Sequence, residues 1–102
     1  MNYKVYISKV AKNDIVNIYN YIKINLMSPD AAINIVRKIE SSIEDLNFMP
    51  ERYERVGLEG LEYENIRRLM VNNYIVIYKV IKEEYRVEVL RVFYSKRDLI
   101  SY

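Results

Sequence analysis

The sequence predicts an α+β domain in which a helical hairpin packs on one face of a small sheet, in the order strand, helix, helix, strand, strand, strand. Three observations predict it. The first half carries two apolar stripes of helical period, the second half carries three runs rich in Val, Ile and Tyr, and only a few residues separate the two stripes.

The elements follow in order. Tyr3, Val5 and Ile7 alternate on one face over Met1 to Ile7, a short strand. Ser8 suits a helix N-cap, because its hydroxyl can accept from a backbone N–H two or three residues on. Ile15, Ile18, Ile22 and Leu26 then recur at steps of three and four, one stripe of a first helix. Ser28-Pro29-Asp30 restarts the chain: Ser28 can cap, Pro29 lacks an N–H where none is needed, and Asp30 complements the positive helix end. Ala32, Ile35, Ile39, Ile43 and Leu46 form the stripe of a second helix that stops before Pro50. So short a connection folds the helices back on each other. Residues 50–64 are polar, hold both glycines and read as a loop. Ile66 to Val71, Tyr74 to Ile81 and Tyr85 to Phe93 are the remaining strands, joined by Asn72-Asn73 and by Lys82-Glu83-Glu84. The middle one is apolar at nearly every position, so it is expected inside the sheet and covered on both faces.

At 102 residues, 51% hydrophobic and 29% charged, the chain is expected to be one globular domain over 1–102. Runs such as Tyr74–Tyr78 are about a quarter of the ~20 residues that a membrane-spanning helix needs. Met1-Asn2-Tyr3-Lys4 lacks the layout of a secretion signal, so a cytoplasmic location and no membrane partner are expected. Cys and His are both absent. That removes disulfides, thiolate and imidazole mechanisms and the usual zinc sites; neither a metal nor a cofactor is expected. Two glycines three residues apart cannot form a phosphate-cradling loop, and Ser-centred hydrolysis lacks a base.

The cations carry the remaining signal. Net charge is only +2, but Arg86, Arg91, Lys96 and Arg97 outnumber Glu88 and Asp98 near the end. Arg67-Arg68 opens a strand, and Arg52 and Arg55 lie in the loop before it. Guanidinium forks beside tyrosines such as Tyr94 suit phosphate and stacked bases, and equally an acidic protein. The plainer alternative pairs them with Glu51, Glu54, Glu88 and Asp98 as rim salt bridges worth roughly 0–1 kcal/mol each. Adjacent strand residues face opposite ways, so only one of Arg67 and Arg68 can look toward a shared site. For RNA cleavage, Arg or Lys would stabilise charge and Tyr94 or Tyr102 would donate a proton; the base would be a tyrosine tuned far below its free value of about 10, or one of the loop glutamates Glu51, Glu54, Glu62 and Glu64.

Several stretches together resemble the RelE/ParE superfamily, the toxins of bacterial type II toxin–antitoxin systems. They are Ser28-Pro29-Asp30-Ala31-Ala32, Leu46-Asn47-Phe48-Met49-Pro50, Ile66-Arg67-Arg68-Leu69 through Tyr74–Val80, and Val89-Leu90-Arg91-Val92-Phe93-Tyr94-Ser95-Lys96-Arg97-Asp98. The resemblance implies an antiparallel-dominated sheet under the hairpin and a cognate antitoxin that wraps the toxin. It is closer to the ParE branch, which blocks DNA gyrase. The RelE branch cuts mRNA on the ribosome, and there the resemblance would give Arg68, Tyr94, Arg97 and Tyr102 catalytic roles. An inactive member that only binds antitoxin is the third alternative. For target or antitoxin binding the resemblance points to Arg52, Arg67, Arg68, Arg91, Tyr94, Lys96 and Arg97. Apolar groove surface left uncovered in the free toxin would make a homo-oligomer an expected state.

Overall fold

A computed structural model describes residues 2–95 of the chain; Met1, Lys96, Arg97 and Tyr102, among the residues discussed above, lie outside them. Strand β1 (Lys4–Ile7) leads into helices α1 (Lys9–Asn25) and α2 (Pro29–Glu44). Strands β2 (Ile66–Val71), β3 (Tyr74–Ile81) and β4 (Arg86–Tyr94) follow. The α+β architecture and the helical hairpin are as the sequence predicts.

Both helix starts are built by the capping residues. Ser8 accepts from the Ala11 N–H at 3.0 Å and Ser28 from the Ala31 N–H at 3.3 Å, each satisfying a donor that the first turn leaves orphaned. Helix α2 ends earlier than the apolar stripe suggests: it tightens into a 3₁₀ turn over Asp45–Asn47, which still buries Leu46. Leu26, placed on the first stripe by spacing, is 65% exposed, because α1 stops at Asn25 and the chain turns away at Met27 in the left-handed region (φ 50°).

The sheet has the order β1-β4-β3-β2. The last three strands form the expected antiparallel meander, and β1 adds to β4 in parallel, Lys4 opposite Arg86 through Ile7 opposite Val89. The β2–β3 corner uses Asn72 at φ 53°, a conformation asparagine tolerates. Met49 (φ 47°) and Tyr85 (φ 48°) occupy the same region without that excuse. Tyr85 is therefore a corner residue and not the first residue of β4.

One face of the sheet is buried against the hairpin. Val76, Tyr78 and Val80 of β3, Val87, Val89 and Val92 of β4, and Leu69 and Val71 of β2 pack against Ala11, Ile15, Ile39, Ile43 and Leu46. The intervening β3 residues Ile75, Ile77, Lys79 and Ile81 are only half-buried. The middle strand is thus central but covered on one face, because both helices pack on the same side. Tyr78 is the largest fully buried side chain, and its hydroxyl donates to the Pro50 carbonyl at 2.6 Å. Burial pushes that phenol up to about 12.

Residues 50–64 are more ordered than a plain loop. Pro50–Arg52 forms a 3₁₀ turn, and residues 54–56 run along β2: the Arg68 N–H donates to the Glu54 carbonyl and the Val56 N–H to the Ile66 carbonyl. That pairing covers one end of the β2 edge. Among the described residues, no helix is long and apolar enough to cross a membrane.

The core assignment predicts a sharp contrast. Ile39→Ala, at a fully buried position, should lower the urea unfolding free energy by about 2–5 kcal/mol. Ile24→Ala, at a position 69% exposed, should change it by no more than ~0.5 kcal/mol.

Candidate functional site

Two surfaces remain once the core is accounted for: the open face of the sheet, and a groove where the hairpin tip stands away from the strands. On the open face, register places Arg68, Ile77 and Arg91 directly across one another on β2, β3 and β4. The next row is Met70, Ile75 and Phe93. Two strand spacings separate the outer positions of a row, roughly 10 Å. Two arginines thus flank an isoleucine beside an apolar row, with Phe93 41% exposed.

The structure settles the ambiguity of the arginine pair. Arg68 stands on the open face and donates to both Glu54 oxygens at 3.1 and 3.3 Å. Arg67 lies opposite Tyr78, on the helix side, with its side chain 14% exposed. Its guanidinium donates to the carbonyls of Glu51 (2.9 Å) and Tyr53 (2.7 Å), and its Nε donates to Asn65 Oδ1 (2.9 Å). Together with the Tyr78 hydroxyl it ties down the Pro50–Tyr53 segment. Glu51 completes this clamp; the Asn65 amide beside it, then Lys82 and Arg67, hold its carboxyl below the usual range despite partial burial. Arg52 is also structural in its contacts. It donates to the carbonyls of Phe48, Met49 and Asp45, closing the end of the second helix, and its guanidinium stacks on the Tyr53 ring at 4.7 Å.

Arg91 meets a partner that spacing did not single out. Its Nε donates to Asp14 Oδ2 at 2.8 Å and its Nη2 to Oδ1 at 3.1 Å, a two-point fork. Asp14 also accepts the Val92 backbone N–H at 2.9 Å. Burial pushes the Asp14 carboxyl up, but the Arg91 and Val92 hydrogen bonds and the Arg91 charge outweigh it and leave it lowered. The Arg91 guanidinium is raised by the same bond. A signal for Asp14 did exist: it falls between Ala11 and Ile18 at helical spacing, an acid set on the buried stripe.

The groove encloses about 790 Å³ and is lined by Asp14, Ile18, Tyr21, Leu26, Tyr74 and Tyr94 among others, with no Lys or Arg. Tyr94 packs edge-on against Tyr74, ring centroids 5.5 Å apart. Burial, with Tyr94 and Tyr21 nearby, raises the Tyr74 phenol. The apolar hairpin tip continues this surface: Tyr21, Ile24, Leu26 and Met27 are 63%, 69%, 65% and 85% exposed. The cations named from sequence therefore do not gather at one point. Arg68 and Arg91 share a row, Tyr94 faces the groove, Arg52 and Arg67 brace the loop, and Lys96, Arg97 and Tyr102 lie outside the described residues. Among the described residues no group of three or more acids could hold a metal ion.

Residues 5–99 match the model of the ParE toxin of type II toxin–antitoxin systems, parDE. No curated protein matches the sequence. Among solved structures, the chain is similar to a chain of the chromosomal ParDE toxin–antitoxin system of Pseudomonas aeruginosa, at 18% identity and a TM-score of 0.75, covering 91% of this chain and 96% of that one. It is also similar to a chain of the archaeal RelE–RelB complex of Pyrococcus horikoshii, at 22% identity and TM-score 0.64, covering 95% and 99%. The RelBE2 complex of Mycobacterium tuberculosis gives 20% identity and TM-score 0.61, covering 92% of each chain.

The Asp14 fork predicts a pH-dependent contribution to stability. A carboxyl lowered in the folded chain stabilises it above the unfolded value of ~3.9 and loses that effect as pH falls through the folded value. The difference in urea midpoint between the parent and Asp14→Asn should be widest near neutrality and shrink as pH falls below about 4.

Proposed function

The chain belongs to the ParE toxin family of type II toxin–antitoxin systems, and from that premise we propose that it inhibits DNA gyrase when free and is silenced by a cognate antitoxin. The observation that carries this reading is the family match across nearly the whole sequence. The chemistry of the site supports it. Binding to a protein target needs complementary surface and no acid–base pair. The open face supplies such a surface in Arg68, Ile77, Arg91 and the Met70–Ile75–Phe93 row. Among the described residues, the phenols with displaced titration, Tyr74 and Tyr78, move upward, away from service as a base.

The antitoxin reading draws on the uncovered apolar surface. A hairpin tip with four large side chains exposed, continuous with an apolar groove, is what a wrapping partner would bury. Without that partner the same surface favours self-association of the free toxin. The similar RelBE2 and archaeal RelE–RelB structures are complexes of these toxins with their partners, and the likeness of fold makes ribosome-dependent mRNA cleavage the second reading to test.

Purified protein should abolish gyrase supercoiling in a plasmid assay and leave mRNA uncut in a translation extract read by primer extension. Undiminished supercoiling at large molar excess, or cuts at ribosomal A-site codons, would refute gyrase as the target. Within the first reading, Arg68→Ala should weaken inhibition while lowering stability by only ~0–1 kcal/mol, as an exposed pair does. Arg67→Ala should instead destabilise the fold by about 1–3 kcal/mol, since it leaves the part-buried carbonyls of Glu51 and Tyr53 without their donor.

A further inference from the structure

We propose that Asp14 is a positioning residue: it presets the Arg91 guanidinium as the anchor at which the open face of the sheet takes a carboxylate of its protein target. The proposal rests on the reading that this face meets a protein, and it names the side chain that carries the contact and the group it receives.

A bulge in β4 decides where Arg91 points. The register passes from Tyr78 opposite Val89 to Ile77 opposite Arg91, so Leu90 is an extra residue in the strand. Val87 and Val89 before it belong to the core, and so does Val92 after it. In an unbroken strand Arg91 would share the face of Val87 and Val89; the bulge turns it out beside Ile77. Two contacts from the α1 side brace this turn. The Ser8 hydroxyl donates to the Leu90 carbonyl at 3.2 Å, and Asp14 accepts the Val92 N–H at 2.9 Å. The same carboxylate takes one edge of the guanidinium, Nε at 2.8 Å and Nη2 at 3.1 Å.

The pair is asymmetric: the Asp14 side chain is 13% exposed and that of Arg91 55%. An arginine has five N–H donors. Two are spent on Asp14, and among the described residues the other three meet no partner. They form a donor edge already fixed in place, so a carboxylate binds there without first ordering a long side chain. Arg68 lacks this support, since its Nη2 holds only the exposed Glu54.

The surroundings select a protein acid over a phosphate chain. Arg91 bonds toward α1 and Arg68 toward Glu54 at the far edge, which leaves Ile77 and the Met70–Ile75–Phe93 row as an apolar floor between them. Glu54, Glu64 and Glu88 along this face each pair with a cation, so no excess positive field draws in a polyanion. An apolar centre with charged rims is the layout of a protein interface.

The test separates positioning from charge. Asp14→Asn removes a negative charge beside Arg91, so if field strength alone governed binding, the variant would take acids more tightly. Side-chain N–H spectra of the isotope-labelled whole chain follow Arg91 while glutarate is added, then a short DNA duplex. The expected result is slower water exchange at the Nε–H of Arg91 than at that of Arg68, and a glutarate midpoint at Arg91 that rises at least about threefold in Asp14→Asn. In the gyrase assay, Asp14→Asn and Arg91→Ala should each raise the half-inhibitory concentration about tenfold, and the double variant no further. Arg91→Lys keeps the ion pair with Asp14 but has no second donor edge, so it should lose inhibition about as much while keeping its urea midpoint. Tighter glutarate binding by Asp14→Asn, additive losses in the double variant, full inhibition by Arg91→Lys, or a duplex that displaces glutarate would overturn the proposal. A parent chain that leaves gyrase untouched while glutarate behaves as expected would sink the target assignment and leave the anchor standing.

Discussion

Two helices cover only one face of a four-stranded sheet, and most of the molecule's features descend from that constraint. The hairpin buries Val76, Tyr78, Val80, Val87 and Val89 on one side. The other side keeps half-buried isoleucines with arginines at the ends of a row. Because α1 must begin where β1 ends, β1 stays at four residues. The upper half of β4 is then closed by side chains, Ser8 and Asp14, and not by a neighbouring strand. The groove is the remainder of the same geometry, the space left where the helical layer outruns the sheet.

The arginines divide by what they touch. Arg67 and Arg52 donate to main-chain carbonyls, acceptors that cannot move away without unravelling a turn. Arg68 holds the exposed carboxylate of Glu54, whereas Arg91, itself exposed, holds the largely buried carboxylate of Asp14. An incoming anion can replace the Glu54 carboxylate at little cost, because that pair is weak in water and the guanidinium keeps a partner throughout. A pair sealed around carbonyls offers no such exchange. Adjacent residues of identical type thus serve different ends, decided by which face of β2 each occupies.

Much of this was legible in the sequence. The two caps, the stripes and the three β-rich runs each state a local preference that tertiary packing reinforces. Parallel pairing of β1 with β4 was not legible, since it joins residues over eighty positions apart and leaves no local mark. The uniformly apolar β3 was misleading: Ile75, Ile77 and Ile81 suggest burial on both faces, whereas they form the open surface. Composition reports affinity for an apolar neighbour without saying whether that neighbour belongs to the same chain. Asp14 was readable in principle, as a carboxylate on a buried stripe implies a waiting partner, but its partner on β4 depends on the fold. The arginine-rich ending gave the family while leaving the meeting point of its side chains open.

The left-handed corners have a consequence of their own. Met27, Met49 and Tyr85 adopt positive φ, whereas the chain's glycines are Gly57 and Gly60. Each such residue stores about 1 kcal/mol of steric strain that glycine would not. In a domain this small, the sum is an appreciable share of the whole margin between native and unfolded. Glycine introduced at these three bends would relieve the strain and give part of it back as chain freedom. The native chain therefore carries built-in tension at three of its tightest bends, a reserve that would raise its heat tolerance by several degrees if relaxed.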